Sequence, residues 1–183
     1  LLILNRNKST NDRSKAAETS SLPAKAVSTL AAEQLRKNTH TISTLTAGKN
    51  VPPSQMKSLL EERKQLLLQL VKDDPLEVLR QAKLTKNIRP QLSTAQQNLL
   101  ENTRDIEGTL HSKIADDFKN KISIRYVTLQ TSTNELLNLH FVDELPPLPT
   151  GARVRVSGVQ VDNEFVVEPK SGKEFQVLAS NEA

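Results

Sequence analysis

The chain has 183 residues, a net charge of +4 and no cysteine, which excludes a disulfide framework and thiolate metal sites. Hydrophobic residues make up 36% and aromatic residues 3% of the sequence, so part of the chain is predicted to stay outside a packed core. Residues 1–50 hold eight basic and three acidic residues. The remainder is therefore almost neutral, which argues against a domain that binds nucleic acid mainly by phosphate attraction.

Residues 1–53 are rich in Ser, Thr, Asn, Lys and Ala, a composition that predicts a flexible linker. A short helix over residues 24–37 is the alternative for part of it, because apolar residues recur there at helical spacing. Residues 1–4, Leu-Leu-Ile-Leu, are too few to cross a bilayer. They fit either the end of a signal or anchor helix or an arbitrary start of the sequence.

Residues 54–103 are predicted to form a helical lead-in of two to three short helices. Ser54 is the expected N-cap of the first helix, Asp74 followed by Pro75 begins the second, and Ser93 caps a short third helix. The first helix carries an apolar stripe. We expect this stripe either to cover the rest of the fold or to contact a partner protein. Its members are Leu59, Leu60, Leu66, Leu67 and Leu70.

Alternating apolar and polar residues predict five strands over residues 104–113, 121–130, 135–142, 152–161 and 164–168. Gly108 lies inside the first, where a strongly coiled strand bends. The fold class is therefore α+β, with a small five-stranded antiparallel OB-like β-barrel over residues 104–169. A small open sandwich is the alternative. Residues 170–183 form a C-terminal tail, in which 174–178 either adds a sixth strand or packs as a tail.

No motif of the sequence predicts catalysis, a cofactor or a metal. Phosphate loops, the H-E-x-x-H pattern and the nucleophile elbow are all missing. His111 and His140 lie in the polar phase of their strands, where two exposed strand residues are favoured over a metal site or a hydrolase. A solvated loop over residues 116–120 is likewise favoured over a calcium site. The acidic residues considered for calcium are Asp105, Glu107, Asp116 and Asp117.

A small basic patch is predicted on the outward faces of the strands, from Arg125, Arg153 and Arg155. Tyr126 and Phe141 fall in apolar phases that we expect to point inward. Binding of single-stranded nucleic acid requires exposed aromatic side chains next to positive charge. An OB-like binder of single-stranded nucleic acid or of an oligosaccharide is therefore the alternative function, and nucleic acid is not the favoured partner.

The order of these segments resembles a known module. A helix is followed by DDPLEVLRQA, by IRPQLSTAQQNLLENTRDIEGTL, and by LLNLHFVDELPPLPTGARVRVSGVQVDNEFVV. This pattern, over roughly residues 56–168, is similar to the N-terminal module of bacterial secreted proteins related to gametolysin-type zinc metallopeptidases. The metal-binding helix of the peptidase is absent from this chain, so no catalytic residue carries over.

The resemblance implies a periplasmic or secreted location, with membrane attachment only through an anchor ahead of residue 1. It also implies a role as a non-catalytic accessory or propeptide-like module. Such a module acts through protein–protein or intramolecular contacts with a downstream or partner domain.

Overall fold

The computed structural model describes residues 24–48, 52–143, 150–169 and 175–178. The predictions for residues 1–23, and for most of the C-terminal tail, fall outside these ranges. The fold is α+β, as the sequence predicts. Its elements are α1 (Ala24–Ala47), α2 (Pro53–Leu70), α3 (Pro75–Thr85), a 3-10 turn (Arg89–Gln91), α4 (Thr94–Gln97), β1 (Asn102–Asp117), β2 (Ile122–Thr131), β3 (Leu136–Phe141), β4 (Arg153–Val161), β5 (Glu164–Val167) and β6 (Phe175–Val177).

Helix α1 confirms the alternative of a helix that begins at residue 24 and extends it beyond residue 37 to Ala47, so the linker prediction was wrong over residues 24–47. The side chains of Ala31, Leu35 and Ile42 recur on one face of this helix and are buried, with Leu35 and Ile42 fully enclosed. The many Ser, Thr and Asn residues after residue 37 hide the continuation of this stripe to Ile42. A helix with so weak an apolar signal is stabilised by packing against its neighbours rather than by intrinsic propensity.

The helix starts follow local chemistry in two of three cases. Asp74 caps α3, because its Oδ1 accepts a hydrogen bond of 3.0 Å from the backbone N of Glu77. Ser93 caps α4 in a reciprocal arrangement with Gln96. The prediction that Ser54 caps α2 is wrong, because that helix already begins at the preceding proline and has no side-chain cap. Proline in the first turn needs no partner for a backbone N–H.

The six strands pair in the order β1-β2-β3-β5-β4-β6, and β1 also pairs with β4. The ladder through β1, β2, β3, β5 and β4 thus returns to the strand from which it starts. The prediction of a wholly antiparallel arrangement is wrong, because β3 and β5 are parallel. The β4–β5 hairpin inserts β5 between β3 and β4, which gives β5 the direction of β3. The alternative of a sixth strand is confirmed, since β6 pairs with β4.

Gly108 lies where β1 passes from one neighbour to the other. It pairs with Thr131 on β2 and with Val154 on β4. A Cβ at this position would lie 2.4 Å from the carbonyl oxygen of Gln130. Only glycine therefore allows the three strands to approach so closely here, in line with the predicted bend.

The helices and the sheet share a core. The inner face of the sheet forms one apolar cluster, while the opposite face of the β4–β5 hairpin packs against α1, α2 and α3 through Val159, Val161 and Val166. The helical lead-in and the strand segment are therefore joined by a continuous apolar contact.

The leucine stripe is buried inside this arrangement. Leu60, Leu67 and Leu70 are fully buried, Leu66 is 6% exposed and Leu59 is partly buried. The stripe covers the sheet and the neighbouring helices, so the alternative of a free partner surface is wrong. Within the described ranges, no helix combines the length and apolar content needed to cross a bilayer.

Candidate functional site

A buried ion pair anchors the helices to the start of β1. Arg63 on α2 donates from Nε and Nη2 to the two carboxylate oxygens of Glu101, at 3.1 and 2.7 Å. Its Nη1 donates to Oγ1 of Thr39 on α1 at 2.5 Å. Thr85 at the end of α3 donates to the same carboxylate at 2.5 Å. Since both charged side chains are at most 2% exposed, these bonds must satisfy them without water.

The network continues from Thr39 towards the surface. Thr39 is hydrogen-bonded to Oε1 of Gln81 at 2.8 Å, and Gln81 donates to Glu77 at 2.8 Å. Glu77 also accepts a hydrogen bond of 2.7 Å from Nε of Arg36. The hydrogen bond from Arg36 holds the pKa of Glu77 below its usual value, although burial acts in the opposite direction.

Above this network, a groove of about 640 Å³ runs between α1 and the segment formed by α3 and the 3-10 turn. Thr39, Gln81 and Ile88 lie on its floor and are each about 5% exposed. The Arg36–Glu77 pair bridges the two helices beside it. The volume falls within the range of about 300–1,000 Å³ that is usual for ligand pockets.

Neutral hydrogen-bonding side chains and a few apolar ones dominate the lining of this α1–α3 groove. Hydroxyl and amide groups can donate hydrogen bonds to a peptide backbone and accept hydrogen bonds from it. The side chain of Leu84, on the rim, is 57% exposed and offers an apolar contact. Arg36 contributes the cationic edge. The remaining lining residues are Thr39, His40, Ser43, Thr46, Ala47, Gln81, Asn87, Ile88 and Gln91.

The structure does not bring the predicted arginine patch together. Arg153 and Arg155 on β4 both face Glu107 of β1, with Nε of Arg155 at 2.8 Å from its carboxylate and Nη2 of Arg153 at 3.8 Å. Arg125 pairs across the ladder with Ile114, which lies in the opposite phase of β1 from Glu107. Arg125 therefore lies on the opposite face of the sheet from Arg153 and Arg155.

The phase of β2 also differs from the prediction. Val127 and Leu129 are the buried residues of this strand, so Tyr126 lies in the outward phase and is 53% exposed. Arg125 consequently lies in the inward phase, near the strand end, where its Nε donates to Oγ of Ser112 at 2.9 Å. The prediction that Tyr126 points inward and Arg125 outward is wrong, whereas Phe141 does pack against the inner core.

His111 and His140 have different partners. His111 Nε2 lies 3.2 Å from Oε1 of Gln130, and His140 Nε2 contacts the carboxylate of Glu164. In the part of the chain that the structure describes, no three His, Asp or Glu side chains cluster as metal ligands.

Two of the acidic residues considered for calcium, Asp116 and Glu107, have separate partners. Strand β1 extends to Asp117, so the predicted solvated loop over residues 116–120 is wrong at its start. Asp116 accepts a hydrogen bond of 2.6 Å from Ser123 of β2, while Glu107 faces the arginines of β4.

One polar cluster lies at the edge of the inner core, where β1 begins and β4 ends. Glu135 accepts hydrogen bonds from Nη2 of Arg104 at 2.8 Å and from Nε2 of Gln160 at 2.9 Å. The hydrogen bond from Arg104 lowers the pKa of Glu135 below its usual value. Arg104 Nε is buried without a hydrogen-bond partner, so the cluster carries one unsatisfied donor.

Sequence reasoning missed the groove because most of its α1 lining lies beyond residue 37, where the alternative helix was predicted to end. The continuation of the helical spacing from Leu35 to Ile42 is the signal that extends the predicted helix. Comparison of the chain with models of protein families, with curated proteins and with solved structures finds no match.

Proposed function

We propose that this chain is a non-catalytic accessory module, and that its α1–α3 groove holds a peptide segment of a partner protein domain. The observation that carries the proposal is the lining of the groove. Neutral donors and acceptors, together with the apolar side chain of Ile88 on the floor and an exposed leucine on the rim, suit a polypeptide better than a charged metabolite.

The direction of the pKa shifts argues against a general acid or base role for two carboxyl groups. A carboxyl that acts as a general acid or base near neutral pH needs a raised pKa. Glu77, which lies beside the groove, and Glu135, near the inner core, are both shifted in the other direction by hydrogen bonds. Both carboxylates thus act as charged structural partners of arginines.

We further propose that the module belongs to an exported bacterial protein of the kind related to gametolysin-type metallopeptidases, in a propeptide-like role. Support comes from the sequence pattern over residues 56–168 and from helices that precede a small sheet. Strand pairing supports an OB-like barrel within it, because β1 pairs with both β2 and β4. In this proposal the partner domain lies in the same polypeptide, and the protein is periplasmic or secreted.

The natural absence of cysteine allows a direct test. Ser43→Cys places one thiol in the groove, and Gln65→Cys places a control thiol on the exposed face of α2. Labelling rates are compared between this chain alone and the complete polypeptide read from its gene. We expect the Ser43→Cys thiol to be protected at least about tenfold in the complete polypeptide, because the partner segment occludes it, while the control is unchanged.

Equal labelling at both sites contradicts the proposal. So does a gene that encodes no further domain, because the proposed partner is then missing. Export is checked separately by locating the complete protein in cell fractions. Recovery from the cytoplasm alone overturns that part of the proposal and leaves the groove assignment standing.

A second candidate function is an OB-like binder of single-stranded nucleic acid or oligosaccharide. The exposed ring of Tyr126 favours it, since such sites stack bases or sugars on aromatic side chains. A labelled oligonucleotide is titrated at two salt concentrations against the wild type, Tyr126→Ala and the double variant Arg153→Ala/Arg155→Ala. Salt-dependent binding that both variants weaken supports this function, and no binding at low salt excludes it for nucleic acid.

A further inference from the structure

The far end of the β1–β2 hairpin extends beyond the neighbouring strands. Pairing of β1 with β4 ends at Thr109, and pairing of β2 with β3 ends at Thr128. Over residues 113–117 and 122–126, the described strands pair only with each other. At the usual rise per residue this two-stranded segment is about 17 Å long. It forms a convex feature, which we call the hairpin tip (residues 113–126).

Large apolar side chains are concentrated on the hairpin tip. Phe118 at the turn is 88% exposed, and Ile114, Ile124 and Tyr126 are 66, 47 and 53% exposed. Four of the eight exposed large hydrophobic residues of the described chain lie here. They therefore form a cluster, in contrast to the isolated exposed apolar residues that are normal on a protein surface. A two-stranded ribbon by itself has no second layer against which to bury side chains and gains little stability. These apolar side chains therefore do not form a local core.

Basic residues surround the apolar side chains. Lys119 and Lys121 follow Phe118 at the turn and are exposed. Of the six charged residues of the hairpin tip, four are basic and two acidic, which leaves a net charge of +2. One of the acids, Asp116, is already hydrogen-bonded to Ser123. The charged residues are Lys113, Asp116, Asp117, Lys119, Lys121 and Arg125.

We propose that the hairpin tip binds the surface of an anionic lipid bilayer. Phe118 enters the boundary between headgroups and acyl chains, and the two lysines contact lipid phosphates. A convex tip with an apolar apex fits a deformable bilayer directly, whereas a protein partner must supply a matching cavity. Apolar burial together with positive charge is the combination that drives binding at membrane surfaces. This inference is independent of the α1–α3 groove.

Vesicle binding of this chain tests the inference. Co-sedimentation is measured with vesicles of phosphatidylcholine alone and of phosphatidylcholine mixed with phosphatidylglycerol, at low and high salt. We expect binding to the mixed vesicles only, weakened by salt. Phe118→Ser and the double variant Lys119→Glu/Lys121→Glu each lower the partition coefficient at least about tenfold. All three positions are exposed, so the variants are expected to fold, and circular dichroism is used to check this.

Matched controls carry the same chemical changes elsewhere. Leu136→Ser removes an exposed apolar side chain from β3, and Lys83→Glu/Lys86→Glu reverses two exposed charges on and just after α3. Both controls are expected to bind vesicles as the wild type does. No binding to the anionic vesicles at low salt overturns the inference, and so does equal loss of binding in the controls.

A protein partner is the competing occupant of the hairpin tip. Phe118→Cys with an environment-sensitive fluorophore distinguishes the two, because insertion into vesicles shifts its emission to the blue. A thiol at this position that is shielded in the complete polypeptide without lipid identifies a protein interface and overturns the inference. The groove proposal is tested at Ser43 and stands or fails separately.

Discussion

Replacing Arg63 with methionine removes the guanidinium that neutralises Glu101 but keeps an unbranched side chain of similar length. The carboxylate, 2% exposed, then loses two charge-assisted hydrogen bonds and keeps only the one from Thr85. Breaking a buried pair by removing one partner costs about 3–5 kcal/mol. Because domains of this kind are stable by only about 5–15 kcal/mol in total, Arg63→Met is expected to lie close to the unfolding limit.

The double variant Arg63→Met/Glu101→Leu gives the opposite expectation. Replacing both partners by apolar side chains is often neutral or stabilising by about 1–4 kcal/mol. The hydroxyl groups nearby keep partners, because Thr39 still reaches the carbonyl oxygen of Leu35 at 2.8 Å and Thr85 that of Ala82 at 3.0 Å. The double variant should therefore regain most of the stability that the single variant loses.

Urea unfolding, followed by circular dichroism, measures the free energy of unfolding of the wild type, the single variant and the double variant. The dependence of this free energy on urea concentration must be the same in all of them for the values to be compared. A loss below about 1 kcal/mol in Arg63→Met shows that the pair is not buried as described. A double variant no more stable than the single one refutes the reasoning about the unpaired carboxylate. If Arg63→Met does not fold, recovery of folding in the double variant still decides the question.

Two further predictions concern pH and backbone approach. Since the pKa of Glu77 is lowered in the folded state, its pair with Arg36 contributes stability above the unfolded pKa of about 4.3, and this stability is lost as pH falls through the folded pKa. The free energy of unfolding, measured with urea, should therefore fall less below about pH 4.3 in Glu77→Gln than in the wild type. Equal losses in the two proteins contradict the prediction. Gly108→Ala should lower the free energy of unfolding by about 1–3 kcal/mol or more, because the new methyl group meets the carbonyl oxygen of Gln130. The control Gly151→Ala should cost only about 1 kcal/mol, because a Cβ there meets no atom within 4 Å and only the φ of +92° is unfavourable. Similar losses in the two variants exclude a steric cause at residue 108.

Local signals in the sequence placed most of the strands and helix starts. The alternation of Leu137, Leu139 and Phe141 marks β3, and Asp74 before Pro75 marks the start of α3. These signals need only a residue and its immediate neighbours, since side-chain period and capping act over a few residues. Strand ends were less predictable, because β1 continues to Asp117 on pairing with β2 alone.

Other features depend on which surfaces meet. Strand β2 carries two apolar runs of opposite phase, Ile124 with Tyr126 and Val127 with Leu129. Only the second run lies beside β1 and β3 over a common core, so the first remains exposed on the hairpin tip. The local pattern of β2 cannot show which of the two runs is buried, because the buried face of a strand is set by the strands that flank it.

The sequence by itself determined the α+β class, the order of the elements and the absence of a cysteine-based framework. The tertiary structure alone decided that α1 belongs to the core, that the leucine stripe is covered, that β5 runs parallel to β3, and that a groove opens between α1 and α3. Each of these depends on contacts between residues far apart in the chain, and a local pattern states which face is apolar but not what covers it.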